Sequence, residues 1–143
     1  MDDLDQKLVA ALAADSSTAT SMLARRLGVA RSTVQARIER LERSGVIAGY
    51  TIRLGEAARR NRIQATALLE IEPRATAAVL QRLRPMTEVE ACHTTTGRID
   101  LILQIVAEST EALDATLDRI GAIPGVRSTE SLIHLATKFD RRL

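Results

Sequence analysis

The chain has 143 residues, of which 45% are hydrophobic and 27% are charged, with a formal net charge of +2. This composition is typical of a folded globular protein, and the length allows one ordinary domain or two small ones. No apolar run approaches the roughly 18 residues of a membrane span, and the acidic start MDDLDQKL lacks a cationic leader region, so we expect a cytoplasmic protein.

The basic charge is concentrated in the N-terminal part. Residues 1–60 carry 10 basic and 7 acidic side chains, whereas residues 61–143 carry 10 and 11. Tyr50 and Phe139 are the only aromatic residues, which removes the stacking platforms that readers of RNA and single strands use. Double-stranded DNA is therefore the expected partner of the N-terminal part.

Three helices are predicted in the first 47 residues. Leucines recur every four residues near the N-terminus after an acidic first turn, which predicts the first helix. The second helix ends at Gly28, which permits a sharp reversal, and Val34, Ile38 and Leu41 form the apolar stripe of the third. Because two amphipathic helices joined by so short a turn are typical of a helix-turn-helix, residues 1–47 are predicted to bind DNA.

The third predicted helix, residues 31–43, has a polar and basic side away from its apolar stripe. Arginine donates two parallel hydrogen bonds to guanine and neutralises phosphates, and glutamine pairs with adenine. The alternative is an ordinary solvated helix pair whose arginines bind nothing. The predicted DNA contacts are Arg31, Ser32, Thr33, Gln35, Arg37 and Arg40.

The sequence pattern changes at Val46. The segment VIAGYTIRL is short and β-branched and the polar stretch EAARRNR follows it, so we predict a strand and linker at residues 48–62. Residues 63–143 then alternate apolar strands with two amphipathic helices in the order βαββαβ. The predicted fold is therefore α+β, with a three-helix helix-turn-helix domain joined to a ferredoxin-like domain.

The predicted strand DLILQIVA, residues 100–107, is apolar on both faces. Leu101, Leu103 and Ile105 share one face, and Ile102 and Val106 lie on the other. Both helices of a βαββαβ domain pack on the same side of the sheet, so the second face needs cover from another subunit. We expect a homodimer, or a larger even-numbered assembly, with Ile102 and Val106 in its interface.

Catalysis and metal binding find little support in the sequence. Cys92 and His93 are neighbours on a predicted strand and therefore point to opposite faces, which separates a nucleophile from its base. Cys92 is the only cysteine, and His93 and His134 have no metal-ligand spacing. We expect no catalytic residue, no metal site and no cofactor.

Four stretches of the chain carry a family resemblance: LDQKLVAAL, LARRLGVARSTVQARIERLERSGVIAGY, TGRID and IPGVRSTES. In this order and spacing they resemble the Lrp/AsnC family of leucine-responsive, or feast/famine, transcriptional regulators. The resemblance implies that residues 31–43 are the recognition helix, that the C-terminal half is an amino-acid-sensing RAM domain, and that dimers assemble further. One departure is Ala30, where the family usually has serine as the helix cap; an alanine there forfeits about 1 kcal/mol.

The resemblance also places an amino-acid effector at the loop of Thr96, Gly97 and Asp100, and we add the neighbouring Ile99 from its residue type. Glycine allows a carboxylate close to the backbone amides, aspartate can accept an ammonium group and isoleucine offers an apolar wall. The alternative is a plain tight hairpin in which Gly97 supplies a positive φ and Asp100 caps the turn.

The predicted function is thus a sequence-specific DNA-binding regulator whose assembly or DNA affinity responds to an amino acid or a related metabolite. The alternative is an architectural DNA-binding protein that needs no effector. The two differ in one property, because only a sensor changes its DNA affinity or its assembly when an amino acid binds.

Overall fold

The computed structural model describes residues 1–142. Residues 1–53 and residues 54–140 form separate compact units. No helix within residues 1–142 is long and apolar enough to cross a lipid bilayer. The elements are α1 (Asp3–Ala14), α2 (Thr20–Leu27), α3 (Arg31–Arg43), α4 (Glu56–Arg59), β1 (Ile63–Ile71), α5 (Thr76–Leu83), β2 (Val89–Thr94), β3 (Leu101–Ala107), α6 (Thr110–Gly121) and β4 (Val126–Ile133).

The first unit is a three-helix bundle, as predicted. A capping box starts α1, because the amide of Asp5 donates to the Asp2 carboxylate at 2.9 Å and the amide of Asp2 donates to the Asp5 carboxylate at 3.2 Å. Gly28 ends α2 with φ +67, the left-handed conformation that lets the chain reverse into α3. The bundle core consists of Leu8, Leu12, Leu23, Ala24 and Val34.

The strand predicted within residues 48–62 does not form in this chain. Residues 48–55 are irregular, and the short helix α4 follows them. Tyr50 is 54% exposed and Ile52 is 79% exposed, so the apolar residues that suggested a strand lie at the surface. A strand needs a neighbour for its backbone hydrogen bonds, and no strand of residues 1–142 pairs with this segment. The prediction was therefore wrong for the single chain.

The second unit is the predicted ferredoxin-like domain. Its four strands lie in the order β2-β3-β1-β4, and every neighbouring pair is antiparallel. Both α5 and α6 pack on one face of the sheet, where the core is continuous from the sheet into the helices. The main core residues are Ala65, Ala67, Leu69, Val79, Leu83, Leu101, Leu103, Ile105, Leu113 and Ile120.

The start of α5 and the end of β4 lie at other residues than the sequence pattern predicts. Helix α5 begins at Thr76, because Arg74 has φ +68 and cannot belong to a right-handed helix. Strand β4 ends at Ile133, although the apolar pattern continues to residue 137. The predicted cap of α6 is confirmed, since the Ser109 hydroxyl accepts a hydrogen bond from the amide of Ala112 at 3.0 Å.

We expect Gly125→Ala to lower the free energy of unfolding by about 2–4 kcal/mol, because it combines backbone strain with overpacking. Gly125 has φ +102, and a Cβ there would lie 2.7 Å from the Cβ of Ala75. The matched control is Gly97→Ala, which has φ +91 but no atom within 4 Å of the added Cβ. Urea unfolding of both variants measures the difference, and an equal loss would show that the Ala75 contact costs nothing.

Candidate nucleic-acid interface and effector loop

The N-terminal part of α3 has a polar surface open to a partner. Arg31, Ser32 and Gln35 are exposed and Thr33 is half-buried. Within residues 1–142 their side chains form no hydrogen bond and no ion pair, so these four predicted DNA contacts are free to bind. Helix α3 is anchored beneath them by Val34, which is fully buried.

The first amides of α3 are also open. Ala30 precedes the helix with extended backbone, and its side chain cannot accept the hydrogen bonds that a serine would. The first backbone hydrogen bond of the helix runs from the amide of Val34 to the carbonyl of Ala30, at 3.2 Å. The amides of residues 31–33 donate to no group within residues 1–142 and lie at the positive end of the helix dipole, where an anion such as phosphate is favoured.

Arg37 and Arg40, the other two predicted DNA contacts, are engaged with α1. The Arg37 guanidinium donates to the Asp2 carboxylate and, at 3.2 Å, to the Asp5 carboxylate. Arg40 donates to Asp5 at 2.6 Å. The Asp5 side chain is only 1% exposed, and a buried carboxylate requires such partners. The structure thus directs both of these guanidinium groups of α3 toward the carboxylates at the start of α1, although more than half of the Arg40 side chain remains exposed.

The acidic residues of α1 are held in their charged form by these contacts. The hydrogen bond from Arg37, followed by that from the Asp5 amide, lowers the pKa of Asp2 from 3.8 to about 2. Burial by itself raises the pKa of Asp5, but the hydrogen bonds from the Asp2 amide and from Arg37 and the charge of Arg40 outweigh it, so the pKa is lowered. The carboxylates therefore remain ionised at neutral pH.

The predicted effector loop connects β2 to β3. Gly97 has a φ of +91, the positive value that the hairpin interpretation required, and Thr96 is exposed beside it. The loop is closed by the amide of Thr95, which donates to the Asp100 carbonyl at 3.1 Å. The amides of residues 96–99 donate to no group within residues 1–142, so the turn presents open donors.

Asp100 joins this loop to the neighbouring strand. Its carboxylate accepts a hydrogen bond from the amide of Ile71 at 2.7 Å, and its own amide donates to the carbonyl of Leu69 at 2.9 Å. The hairpin interpretation instead gave Asp100 the role of a turn cap, whereas the amide that its carboxylate accepts from belongs to β1 and not to the turn. Ile99 is half-buried next to it.

The sheet face opposite the helices is partly apolar and uncovered in the single chain. Ile102 and Val106 are half-buried there, whereas Leu101, Leu103 and Ile105 on the helix side are at most 1% exposed. Leu68 lies beside Ile102 in the strand register, and Leu132 on β4 is 53% exposed. A polar row crosses this face, formed by His134, Thr66 and Gln104.

Cys92 and His93 lie on opposite faces of β2, as predicted. Cys92 packs against the core, where burial raises the pKa of its thiol, and His93 is exposed. Within residues 1–142 no group of three histidine, cysteine or carboxylate side chains could hold a metal ion.

The sequence interpretation missed the partners of the two arginines and a charged residue of the loop. Asp2 and Asp5 are three residues apart, as are Arg37 and Arg40, and equal spacing of opposite charges on two helices is a signal that could have been used. Arg98 was also passed over, although it lies between two predicted effector residues. It forms an ion pair with Glu70 at 2.9 Å.

An open polar face on the second helix of a helix-turn-helix, together with a separate ferredoxin-like unit, is typical of a DNA-binding protein of the helix-turn-helix class that carries an additional domain. Comparisons with known protein families agree with this description for the N-terminal and the C-terminal unit. The AsnC-type helix-turn-helix domain matches residues 1–42, and the Lrp/AsnC ligand binding domain matches residues 64–143. The chain belongs to the Lrp/AsnC family, which confirms the resemblance and the fold class.

Individual relatives extend over almost the whole chain. The HTH-type transcriptional regulator LrpA of Mycobacterium tuberculosis is 36% identical over 143 residues, which cover 99% of this chain and 95% of the relative. The structure of Escherichia coli AsnC has a TM-score of 0.90 at 26% identity and covers 100% of this chain and 97% of that one. A feast or famine regulatory protein of M. tuberculosis complexed with L-methionine has a TM-score of 0.85 at 35% identity, with coverages of 99% and 97%.

We expect Asp2→Asn to destabilise the protein by an amount that depends on pH. Because the folded-state pKa of Asp2 is lowered to about 2, its carboxylate contributes stability that is present above the ordinary pKa of 3.8 and is lost as the pH falls to 2. The difference in free energy of unfolding between wild type and Asp2→Asn should therefore shrink between pH 4 and 2. Asparagine still caps a helix through its carbonyl oxygen, so the variant keeps the cap and removes the charge and the acceptor that faces Arg37.

The matched control is Asp3→Asn, because within residues 1–142 the Asp3 carboxylate pairs only with Lys7, on the surface of α1. It should change stability little at any pH, since an exposed pair contributes about 0–1 kcal/mol. Urea unfolding followed by circular dichroism measures both variants. An Asp2→Asn effect that is equally large at pH 2 and pH 7 would contradict the ion pair with Arg37.

Proposed function

We propose that the chain regulates transcription by binding double-stranded DNA through the open face of α3, and that it acts by binding alone, without catalysis. The observation that carries this proposal is the set of exposed donors at the start of α3, none of which is engaged within residues 1–142. The diameter of a helix matches the width of the major groove, about 12 Å.

The residues of this face suit two kinds of DNA contact, to phosphates and to base edges. Arg31 and the open amides at the start of α3 suit phosphates, and Ser32, Thr33 and Gln35 suit base edges. Arg37 and Arg40 hold α3 against α1 through Asp2 and Asp5, so we assign them the positioning of this face. The sequence-based assignment of Arg40 to the DNA surface remains a prediction, and DNA titrations of an Arg40→Ala variant check it.

We expect Gln35→Ala to relax the preference at one base position and to cost about 1–3 kcal/mol of specific binding. Arg31→Ala should weaken binding to all sequences alike and reduce the salt dependence by about one phosphate contact. Arg40→Ala should lower thermal stability and leave the salt dependence unchanged. A sequence selection on a random duplex pool, followed by titrations at several salt concentrations, measures these effects.

The control for these variants is Arg82→Ala, which removes an exposed arginine from α5 in the other unit. It should leave DNA affinity unchanged. If full-length wild type has no affinity for any duplex at low salt, the proposal is overturned. If Arg40→Ala reduces the salt dependence by about one phosphate contact, Arg40 contacts DNA as the sequence predicted.

We propose that the chain is a homodimer, or a larger even-numbered assembly, through the sheet face that carries Ile102 and Val106. Four aliphatic side chains on this face remain partly or largely exposed in the single chain, whereas the helix side of the same sheet is closed. Covering apolar area of this kind with a second subunit lowers the free energy of the protein. A two-fold dimer also presents two recognition helices to a pseudo-palindromic site.

We expect Ile102→Asp to weaken dimerisation at least about 100-fold, because a charge would be buried without a partner. The matched control is Ala77→Asp, which adds the same charge to the exposed surface of α5. Sedimentation of both variants at micromolar concentration measures the change. If wild type is a stable monomer, or if Ile102→Asp assembles as wild type does, this face is not the interface.

We propose that an amino acid binds at the loop of Thr96, Gly97, Ile99 and Asp100 and changes assembly or DNA affinity. Support comes from the open amides of residues 96–99, which suit a carboxylate, and from the L-methionine complex of the mycobacterial relative. Binding at the edge of the proposed interface would let the effector distinguish assembled from separate subunits, and an effector shifts an equilibrium only by such a difference.

We expect at least one of the twenty protein amino acids to raise the melting temperature of the full chain. An amino acid at 100 times its dissociation constant adds about 2.7 kcal/mol of stability. A thermal-shift screen measures this, with the D-enantiomers as controls for nonspecific effects of the additive. If no amino acid stabilises the protein, the effector proposal fails and the architectural alternative gains support.

A further inference from the structure

Positive charge is concentrated in the segment between the helix-turn-helix and the sheet. Residues 53–62 contain four arginines and one glutamate, so this short segment has a net charge of +3, whereas the whole chain carries +2. Every side chain of residues 48–62 is exposed. The segment therefore presents more positive charge than the entire protein, on a surface that is open to a partner.

Three of these arginines, Arg59, Arg60 and Arg62, come from one turn of the backbone, and we refer to them as the linker arginines. Arg59 is the last residue of α4 and Arg60 follows it directly. The amide of Arg62 then donates to the carbonyl of Arg59 at 2.9 Å. A hydrogen bond of this kind closes a turn whose end Cα atoms lie within about 7 Å of each other. Three guanidinium groups therefore extend from one small patch.

The linker arginines have no carboxylate partner in the part of the chain that the structure describes, residues 1–142. Three other arginines of the same unit, Arg98, Arg119 and Arg127, each contact a glutamate. Like charges this close together repel one another, and no acidic side chain of residues 1–142 pairs with them to offset that repulsion. A polyanion outside the chain would supply the missing negative charge.

Duplex DNA is the polyanion that the linker arginines can reach. It carries one negative charge per about 1.7 Å of its axis. Residues 44–55 lie between α3 and α4, and a segment of that length spans at most about 40 Å, slightly more than one turn of the duplex at about 34 Å. Once α3 lies in the major groove, the linker therefore holds these arginines at a high effective concentration near the flanking phosphates.

The shape of this patch suits phosphates better than base edges. Helix α4 has only four residues, so it offers no helical face that could enter the major groove and read bases. Contacts to phosphates add affinity and fix the orientation of a protein on the duplex, but they carry no sequence information.

We propose that Arg59, Arg60 and Arg62 form a second DNA-binding surface, outside the helix-turn-helix, which binds phosphates beside the site that α3 reads. This inference rests on the proposed DNA-binding function of α3. It adds a separate contact region that raises affinity and leaves the sequence preference to α3.

The test titrates full-length proteins with a selected duplex at several salt concentrations. The linker variant combines Arg59→Gln, Arg60→Gln and Arg62→Gln. It should reduce the slope of the logarithm of the binding constant against the logarithm of the salt concentration by about two to three per bound subunit. The base preference found by selection from a random duplex pool should stay that of wild type.

A control variant removes the same charge elsewhere in the same unit. It changes three exposed arginines that also form no ion pair within residues 1–142 but do not share one turn, by combining Arg74→Gln, Arg82→Gln and Arg84→Gln. Its salt slope should stay within about 0.5 of wild type, because charges away from the duplex are screened.

A second measurement changes the DNA and uses the wild-type protein, so it does not depend on how a variant folds. Uncharged methylphosphonates replace the phosphates that flank the selected site, within one turn on either side. Wild type should bind this duplex at least about 10-fold more weakly than the unmodified one. The linker variant should bind the two duplexes equally, since the contacts that the methylphosphonates remove are already absent.

The outcomes separate this inference from the DNA-binding function on which it rests. If wild type binds no duplex at low salt, the proposed function fails and the inference fails with it. If wild type binds DNA but the linker variant keeps its salt slope, or if flanking methylphosphonates leave wild-type affinity unchanged, the function of α3 stands and the inference is overturned. Sedimentation is the last check, because a linker variant that assembles differently from wild type would assign these arginines to a contact between subunits and overturn the inference as well.

Discussion

The buried carboxylate of Asp5 is the interaction on which the geometry of the DNA-binding unit depends. It caps the first turn of α1, and it accepts hydrogen bonds from Arg37 and Arg40 of α3. A nearly inaccessible charge must find such partners, because burying it unpaired would cost several kcal/mol. The same contact therefore joins the start of one helix to the middle of another, and it fixes which side of α3 remains open.

This arrangement changes how a row of arginines on a recognition helix is interpreted. A helical projection assigns a side chain to a face by its position alone, but an arginine is long enough to reach across the edge of that face. Arg40 shows this, because its side chain is more than half exposed and its guanidinium still contacts Asp5 at 2.6 Å. Part of the basic charge of α3 thus holds the bundle together, and only the remainder is open to the DNA contact that we propose.

In the second unit the corresponding constraint is that the sheet is buried on one face only. The core residues of β1 and β3 alternate strictly with half-buried ones, so every second side chain of these strands lies on the uncovered face. The effector loop lies at the end of the same strands, and Asp100 fixes it to β1. A ligand at this loop and a second subunit on this face would therefore act on neighbouring residues, which is the arrangement needed to couple binding to assembly.

The sequence alone determined the three helices, the left-handed turn at Gly28 and the βαββαβ order, because each follows from apolar spacing and from local backbone preferences. It also separated Cys92 from His93, since alternation along a strand is a local rule. It could not determine whether VIAGYTIRL pairs with another strand, because pairing depends on a neighbour that is distant in the sequence. The partners of Arg37, Arg40 and Asp100 were likewise decided only by the tertiary structure, which alone brings together charges and amides that are about 30 residues or more apart.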